Sequence, residues 1–143
     1  MAEMTARLDH VGLAVADLGA AAWYCDVFGL MPELSLRVDA IDLSIEMLIH
    51  PAFGYRVELL HRPGTGAAAA GKPANPAEAA RRAGYGHVAF AVADLDAAYD
   101  HAVTRGARPV MPPCAAPEPG VRMAFVADPE GNLVELLDRG RKQ

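Results

Sequence analysis

The chain repeats itself once, and that repeat constrains its fold more than any other feature. At a shift of 77 positions, His10-Val11-Gly12-Leu13-Ala14-Val15-Ala16-Asp17-Leu18 falls on His87-Val88-Ala89-Phe90-Ala91-Val92-Ala93-Asp94-Leu95, and Gly29 falls on Gly106. The same shift lays Val57-Glu58-Leu59-Leu60 on Val134-Glu135-Leu136-Leu137. Alanine-rich helices can align by composition, but composition does not set two histidines and two glutamates in one register. A period this long that occurs only twice marks a duplicated module rather than a solenoid unit.

Each module has its own local logic. Residues 8–16 alternate in polarity and carry Val and Leu, as a strand does. Asp17 then offers an N-cap, residues 18–28 run as a helix, and Gly29 supplies the stop; Asp94, residues 95–105 and Gly106 repeat the pattern. Strands are expected near 33–38, 42–49 and 55–61, and again near 108–112, 121–127 and 132–138. The order is βαβββ twice, an α+β fold, with modules over 7–62 and 85–139 in a single domain over 1–143. The segment 63–84 between them reads as a surface linker with a helical turn, for which Asn75 is the cap, Pro76 the first position and Glu78 the third. Residues 109–120 hold five prolines and read as an irregular connection; Asp128-Pro129-Glu130-Gly131-Asn132 reads as a hairpin turn.

Composition narrows the partners. With 52% apolar and 22% charged residues, the 143-residue chain is globular in type, and its net charge of −5 lacks the basic face that nucleic acid requires. No apolar run reaches membrane-spanning length, and residues 1–9 have no core of signal-peptide length. Cys25 and Cys114 share no metal spacing and are read as ordinary thiols, in keeping with a cytoplasmic location.

Alternate side chains of a strand share a face. His10 therefore lies with Gly12 and Ala14, and His87 with Ala89 and Ala91, while the large side chains point the other way. The smallest residues thus leave a hollow beside each imidazole, which close packing would otherwise fill. Glu58 and Glu135 interrupt apolar strands, where a carboxylate must be solvated, paired or metal-bound. A lone strand histidine is more often a hydrogen-bonded core residue than a ligand, and a lone strand glutamate more often sits at a rim. Two of each in one register shift the balance toward a metal site built of His10, Glu58, His87 and Glu135. Two imidazoles and two carboxylates suit one divalent ion such as Ni, Zn, Mn, Co or Fe. Such an ion keeps positions for a small-molecule substrate with chelating oxygens.

At these residues the chain resembles the glyoxalase/bleomycin resistance protein/dioxygenase superfamily, also called vicinal oxygen chelate. The resemblance is carried by Leu8-Asp9-His10-Val11-Gly12-Leu13-Ala14-Val15, Gly86-His87-Val88-Ala89-Phe90-Ala91-Val92 and Asp128-Pro129-Glu130-Gly131-Asn132-Leu133-Val134-Glu135-Leu136. It implies paired βαβββ modules in a half-open barrel around a metal, and a homodimer. The four-ligand pattern is closest to glyoxalase I and methylmalonyl-CoA epimerase-like members. It implies a metal-dependent lyase or isomerase that transfers a proton next to a metal-bound carbonyl, with Glu135 first and Glu58 second as base. Ala14 stands where bacterial glyoxalase I enzymes carry an arginine used for glutathione, which counts against a glutathione hemithioacetal. The alternatives are an Fe(II) extradiol-type dioxygenase using His10, His87 and Glu135, and a non-catalytic drug-binding resistance protein.

Other polar residues read less sharply. Glu46 is a second candidate base only if it faces inward. Arg37, Arg56 and Arg122 could clamp an anionic substrate, though each alone reads as a rim charge. Trp23, Tyr24, Phe28 and Tyr99 are expected in the core, His50, His61 and His101 at the surface. Phe53, Tyr55, Met111 and Met123 are candidate lining for the hollow.

Overall fold

The structure, a computed structural model, describes residues 4–66 and 71–140. Residues 1–3, 67–70 and 141–143 lie outside it, so the segments 1–9 and 63–84 fall only in part on described residues. The chain divides into two compact units, Met1–Thr65 and Gly66–Gln143.

The first unit runs β1 (His10–Ala14), α1 (Ala20–Phe28), β2 (Met31–Val38), β3 (Leu43–Ile49) and β4 (Arg56–His61), with a 3-10 turn at Asp39–Ile41. Its sheet has the order β1-β4-β3-β2, with β1 parallel to β4 and the other pairs antiparallel. Leu48, Val57 and Leu59 are buried and share the sheet face opposite Glu58, and α1 packs on β3. Trp23 and Tyr24 are buried there, their rings edge to face with centroids 4.8 Å apart. Truncating a fully buried Leu48 or Leu59 to alanine would cost about 2–5 kcal/mol.

The second unit repeats the order with β5 (Val88–Ala91), α3 (Leu95–Thr104), β6 (Arg108–Ala115), β7 (Arg122–Ala127) and β8 (Leu133–Asp138), preceded by the short helix α2 (Pro76–Ala79). Its sheet order, β5-β8-β7-β6, is the first sheet's order again. Both sheets are mixed and open, and with few helices the fold is α+β, as the repeat predicts. No helix among the described residues is long and apolar enough to cross a membrane.

Several local expectations need correction. The helix α1 starts two residues late, because Asp17 accepts from the Gly19 N–H at 2.7 Å and closes a turn ahead of the helix instead of capping it. Asp94 does cap α3, accepting from Ala97 N at 3.0 Å. Gly29 ends α1 at φ +69°, a left-handed conformation that favours glycine. The strand expected near 108–112 runs on to Ala115, so residues 113–115 of the stretch read as irregular belong to β6, an edge strand whose register slips between Pro109 and Met111 and between Met111 and Cys114. Proline is tolerated at a sheet edge and at bulges, because no partner there needs its missing N–H. His50, His61 and His101 are half-buried rather than superficial. His50 Nδ1 accepts from Ala52 N and Phe53 N, and His61 Nδ1 lies 3.0 Å from Val15 O.

Candidate metal centre

Strand register sets each candidate donor on its sheet. In the first unit Gly12 is the parallel partner of Glu58, and Met47 is its antiparallel partner, so all three share a face with His10. His10 Nε2 stands 3.6 Å from Glu58 Oε1. In the second unit Ala89 and Phe125 flank Glu135 in the same way, and His87 Nε2 stands 2.9 Å from Glu135 Oε2. The sequence-predicted residues therefore meet as two His–Glu pairs, one in each unit. Among the described residues, no group of three or more His, Cys, Asp or Glu side chains forms a metal-holding cluster.

Burial within the pairs is uneven. The carboxylates are sunk, 18% exposed for Glu58 and 13% for Glu135, whereas the imidazoles are 36% and 39% exposed. In each pair the imidazole is thus the more exposed partner and the carboxylate the more buried. Gly12 keeps the space over Glu58 clear: a Cβ there would come within 3.4 Å of both Glu58 Oε1 and Leu60 Cδ1. Each pair offers one imidazole and one carboxylate with no thiolate, a donor type that suits borderline divalent cations.

Neighbours differ between the halves. Asp9 Oδ2 lies 2.8 Å from His10 Nδ1, and this hydrogen bond raises the imidazole above its ordinary value of 6.5 and lowers Asp9 below 3.8. Arg56, the register partner of His10, is gripped by Glu33 through Nε at 2.7 Å and Nη2 at 3.0 Å. That contact relies on the register shift between Pro32 and Leu34, where Glu33 is the extra residue and turns toward Arg56. At the matching places the second module has Gly86, Leu133 and Val110. There His87 instead meets Phe125 edge to face, with centroids 5.3 Å apart. Ala79 of α2 packs with Phe125 and Leu133 beside the partly buried Val110, Met111 and Met123. Since Leu133 and Phe125 share the face of Glu135, the helical turn expected within a surface linker packs on the His87 side of the sheet. Asn75 Oδ1 caps it by accepting from Glu78 N at 2.8 Å.

The remaining candidates separate by strand phase. Glu46 pairs with Leu59, so it faces away from Glu58, and it accepts from Ser35 Oγ at 2.7 Å. Arg37 is occupied by Asp39, Asp42 and Ser44 on that same far face. Arg122 binds Asp96 of α3 through Nη1 at 2.9 Å and Nη2 at 3.2 Å. Of the three arginines only Arg56 shares a face with a candidate donor pair. Met111 and Met123 lie on the Glu135 face by register, whereas Phe53 and Tyr55 stack on His50 at the β3–β4 hairpin. Sequence reasoning missed Asp9, which adjoins His10 in a run read as strand, where neighbours point to opposite faces. It also missed the Glu33–Arg56 grip, for which a bulge leaves no sequence mark.

Residues 7–136 match the description Glyoxalase/Bleomycin resistance protein/Dioxygenase superfamily. A protein from Cereibacter sphaeroides named ethylmalonyl-CoA/methylmalonyl-CoA epimerase is 34% identical over 138 residues, covering 93% of this chain and 98% of its own. Among solved structures, a glyoxalase family protein from Bacillus cereus superposes with a TM-score of 0.73 at 24% identity over 95% of each chain. Glyoxalase I from Zea mays does so with a TM-score of 0.69 at 21% identity, over 92% of this chain and 44% of the maize chain. At these identities the two structures share the fold, and this chain spans less than half the length of the maize protein.

Proposed function

From the premise that the chain belongs to the glyoxalase/bleomycin resistance protein/dioxygenase superfamily, we propose that it is a divalent-metal-dependent isomerase or lyase of the epimerase-like kind. It moves a proton on the carbon beside a carbonyl, and its substrate class is the acyl-CoA thioester with a second carbonyl-type oxygen within chelating reach. The observation that carries the reading is the recurrence of one His–Glu pair on each sheet, at 3.6 Å and 2.9 Å, beside the Gly12 and Ala89 positions. In this reading His10, Glu58, His87 and Glu135 hold one divalent ion, within one chain or between two copies of a homodimer in the cytoplasm. When bound, that ion would act as a Lewis acid on the substrate carbonyl, making the adjacent C–H acidic enough to ionise.

The proton itself is the task of the chain. Glu135, the more buried of the two carboxylates, is the first base. A carboxylate in each module means that one can take the proton and the other return it, which inverts a stereocentre. Return by the same carboxylate to a neighbouring atom would give an isomerisation instead. The relative from Cereibacter sphaeroides, named for malonyl-type thioesters, supports the first outcome and sets the substrate to try.

The test is metal content by plasma mass spectrometry on untagged protein, beside His87→Ala and Glu58→Gln, followed by solvent-deuterium incorporation into methylmalonyl- and ethylmalonyl-CoA. The expected result is about one ion per chain, lost in His87→Ala and weakened in Glu58→Gln, with deuterium entering the carbon between the carbonyls. A wild-type protein that takes up no ion after incubation with Ni, Zn, Mn or Fe(II) would overturn the proposal. Iron held undiminished by Glu58→Gln would point to the dioxygenase ligand set.

A further inference from the structure

We infer that Asp9 is the residue that orients His10, fixing which ring nitrogen is offered to a cation. The inference rests on the metal reading above. An ionised carboxylate only accepts hydrogen bonds, so the 2.8 Å contact between Asp9 Oδ2 and His10 Nδ1 requires the proton on Nδ1. That leaves the lone pair on Nε2, the atom that lies 3.6 Å from Glu58 Oε1. The partner of one imidazole nitrogen decides the role of the other, and such partners tune metal ligands.

Two features separate this contact from an incidental surface bond. Asp9 is 70% exposed and precedes β1, so packing of the unit does not rest on it. The guanidinium groups near that carboxylate are Arg56 and Arg7, and Glu33 already holds Arg56 at two nitrogens. The hydrogen bond to His10 is the strongest influence on Asp9. The second module has no counterpart, since Gly86 precedes His87 and the ring stands against Phe125 instead. His10 is held by a carboxylate at Nδ1, whereas His87 meets one at Nε2, that of Glu135, with Phe125 against its ring, so the two halves of the repeat are not interchangeable.

The experiment has a metal-free arm and a metal arm. Long-range nitrogen–proton correlation NMR on the metal-free protein reads the tautomer of His10 directly, at a pH where the ring is neutral. Wild type should carry the proton on Nδ1, Asp9→Ala should shift it to Nε2, and Asp9→Asn, whose amide oxygen still accepts, should keep it on Nδ1. Calorimetric titration with Co(II) should show affinity about 10–100-fold weaker in Asp9→Ala, with most of the loss recovered in Asp9→Asn. An unchanged tautomer, or unchanged Co(II) affinity, in Asp9→Ala overturns the role of Asp9. A wild type that binds no Co(II) while showing the expected tautomers overturns the metal reading instead.

Discussion

At the scale of the residue, Gly12 shows how an absence of atoms makes a site. It sits opposite Glu58 in the β1–β4 ladder, and a Cβ there would already touch Glu58 Oε1 at 3.4 Å. Gly12→Val is therefore expected to cover the carboxylate with a branched side chain while suiting the strand. Thermal unfolding should stay near wild type, within the roughly 0.5 kcal/mol usual for exposed positions, whereas metal uptake measured by mass spectrometry should fall. Unchanged uptake would show that Glu58 is not approached from that side. The His–Glu pair was legible because duplication printed it twice in one register. Asp9 was not, because neighbours in an extended strand point to opposite faces, and only the start of β1 at His10 frees Asp9 to turn back to the ring.

At the scale of the element, what the pattern missed lies where tertiary neighbours outvote local propensity. The strand expected near 108–112 does not stop at the Pro112–Pro113 pair: β6 carries on to Ala115 as an edge with two register slips. Asn75, Pro76 and Glu78 did announce the turn of α2, but not that Ala79 would pack on Phe125 and Leu133. The docking of α3 on β7 carries its own test. Arg122 grips Asp96, and this hydrogen bond lowers the carboxyl below its ordinary 3.8. A lowered carboxyl adds stability that is present above pH 3.8 and lost as pH falls through the lower folded-state value. Urea midpoints for Arg122→Met should thus lie below wild type near neutrality, with the gap closing as pH drops beneath 3.8. A gap independent of pH would mean that the arginine acts through its apolar stem instead.

At the scale of the whole molecule, the question is whether the two His–Glu pairs act as one. If they share an ion, His10→Ala, His87→Ala and the double variant should lose metal to a similar degree, since groups that work as a unit are not additive. If each pair binds alone, each single variant should keep half the wild-type metal, and calorimetric stoichiometry separates the two cases. The amino-acid sequence by itself determined the duplication, the α+β order of βαβββ twice, and the recurrence of one His and one Glu in a single register, His10 with Glu58 and His87 with Glu135. Side-chain alternation and recurrence are properties of the chain alone, readable without knowing what it packs against. Only the tertiary structure decided that Glu46 and Arg37 face away from Glu58, that Glu33 reaches Arg56, and that α2 lies on the Glu135 face. Each of these depends on strand register, on a one-residue bulge, or on a contact between segments distant in sequence. A shift of one residue reverses a side chain's face, and periodicity along the chain does not record it.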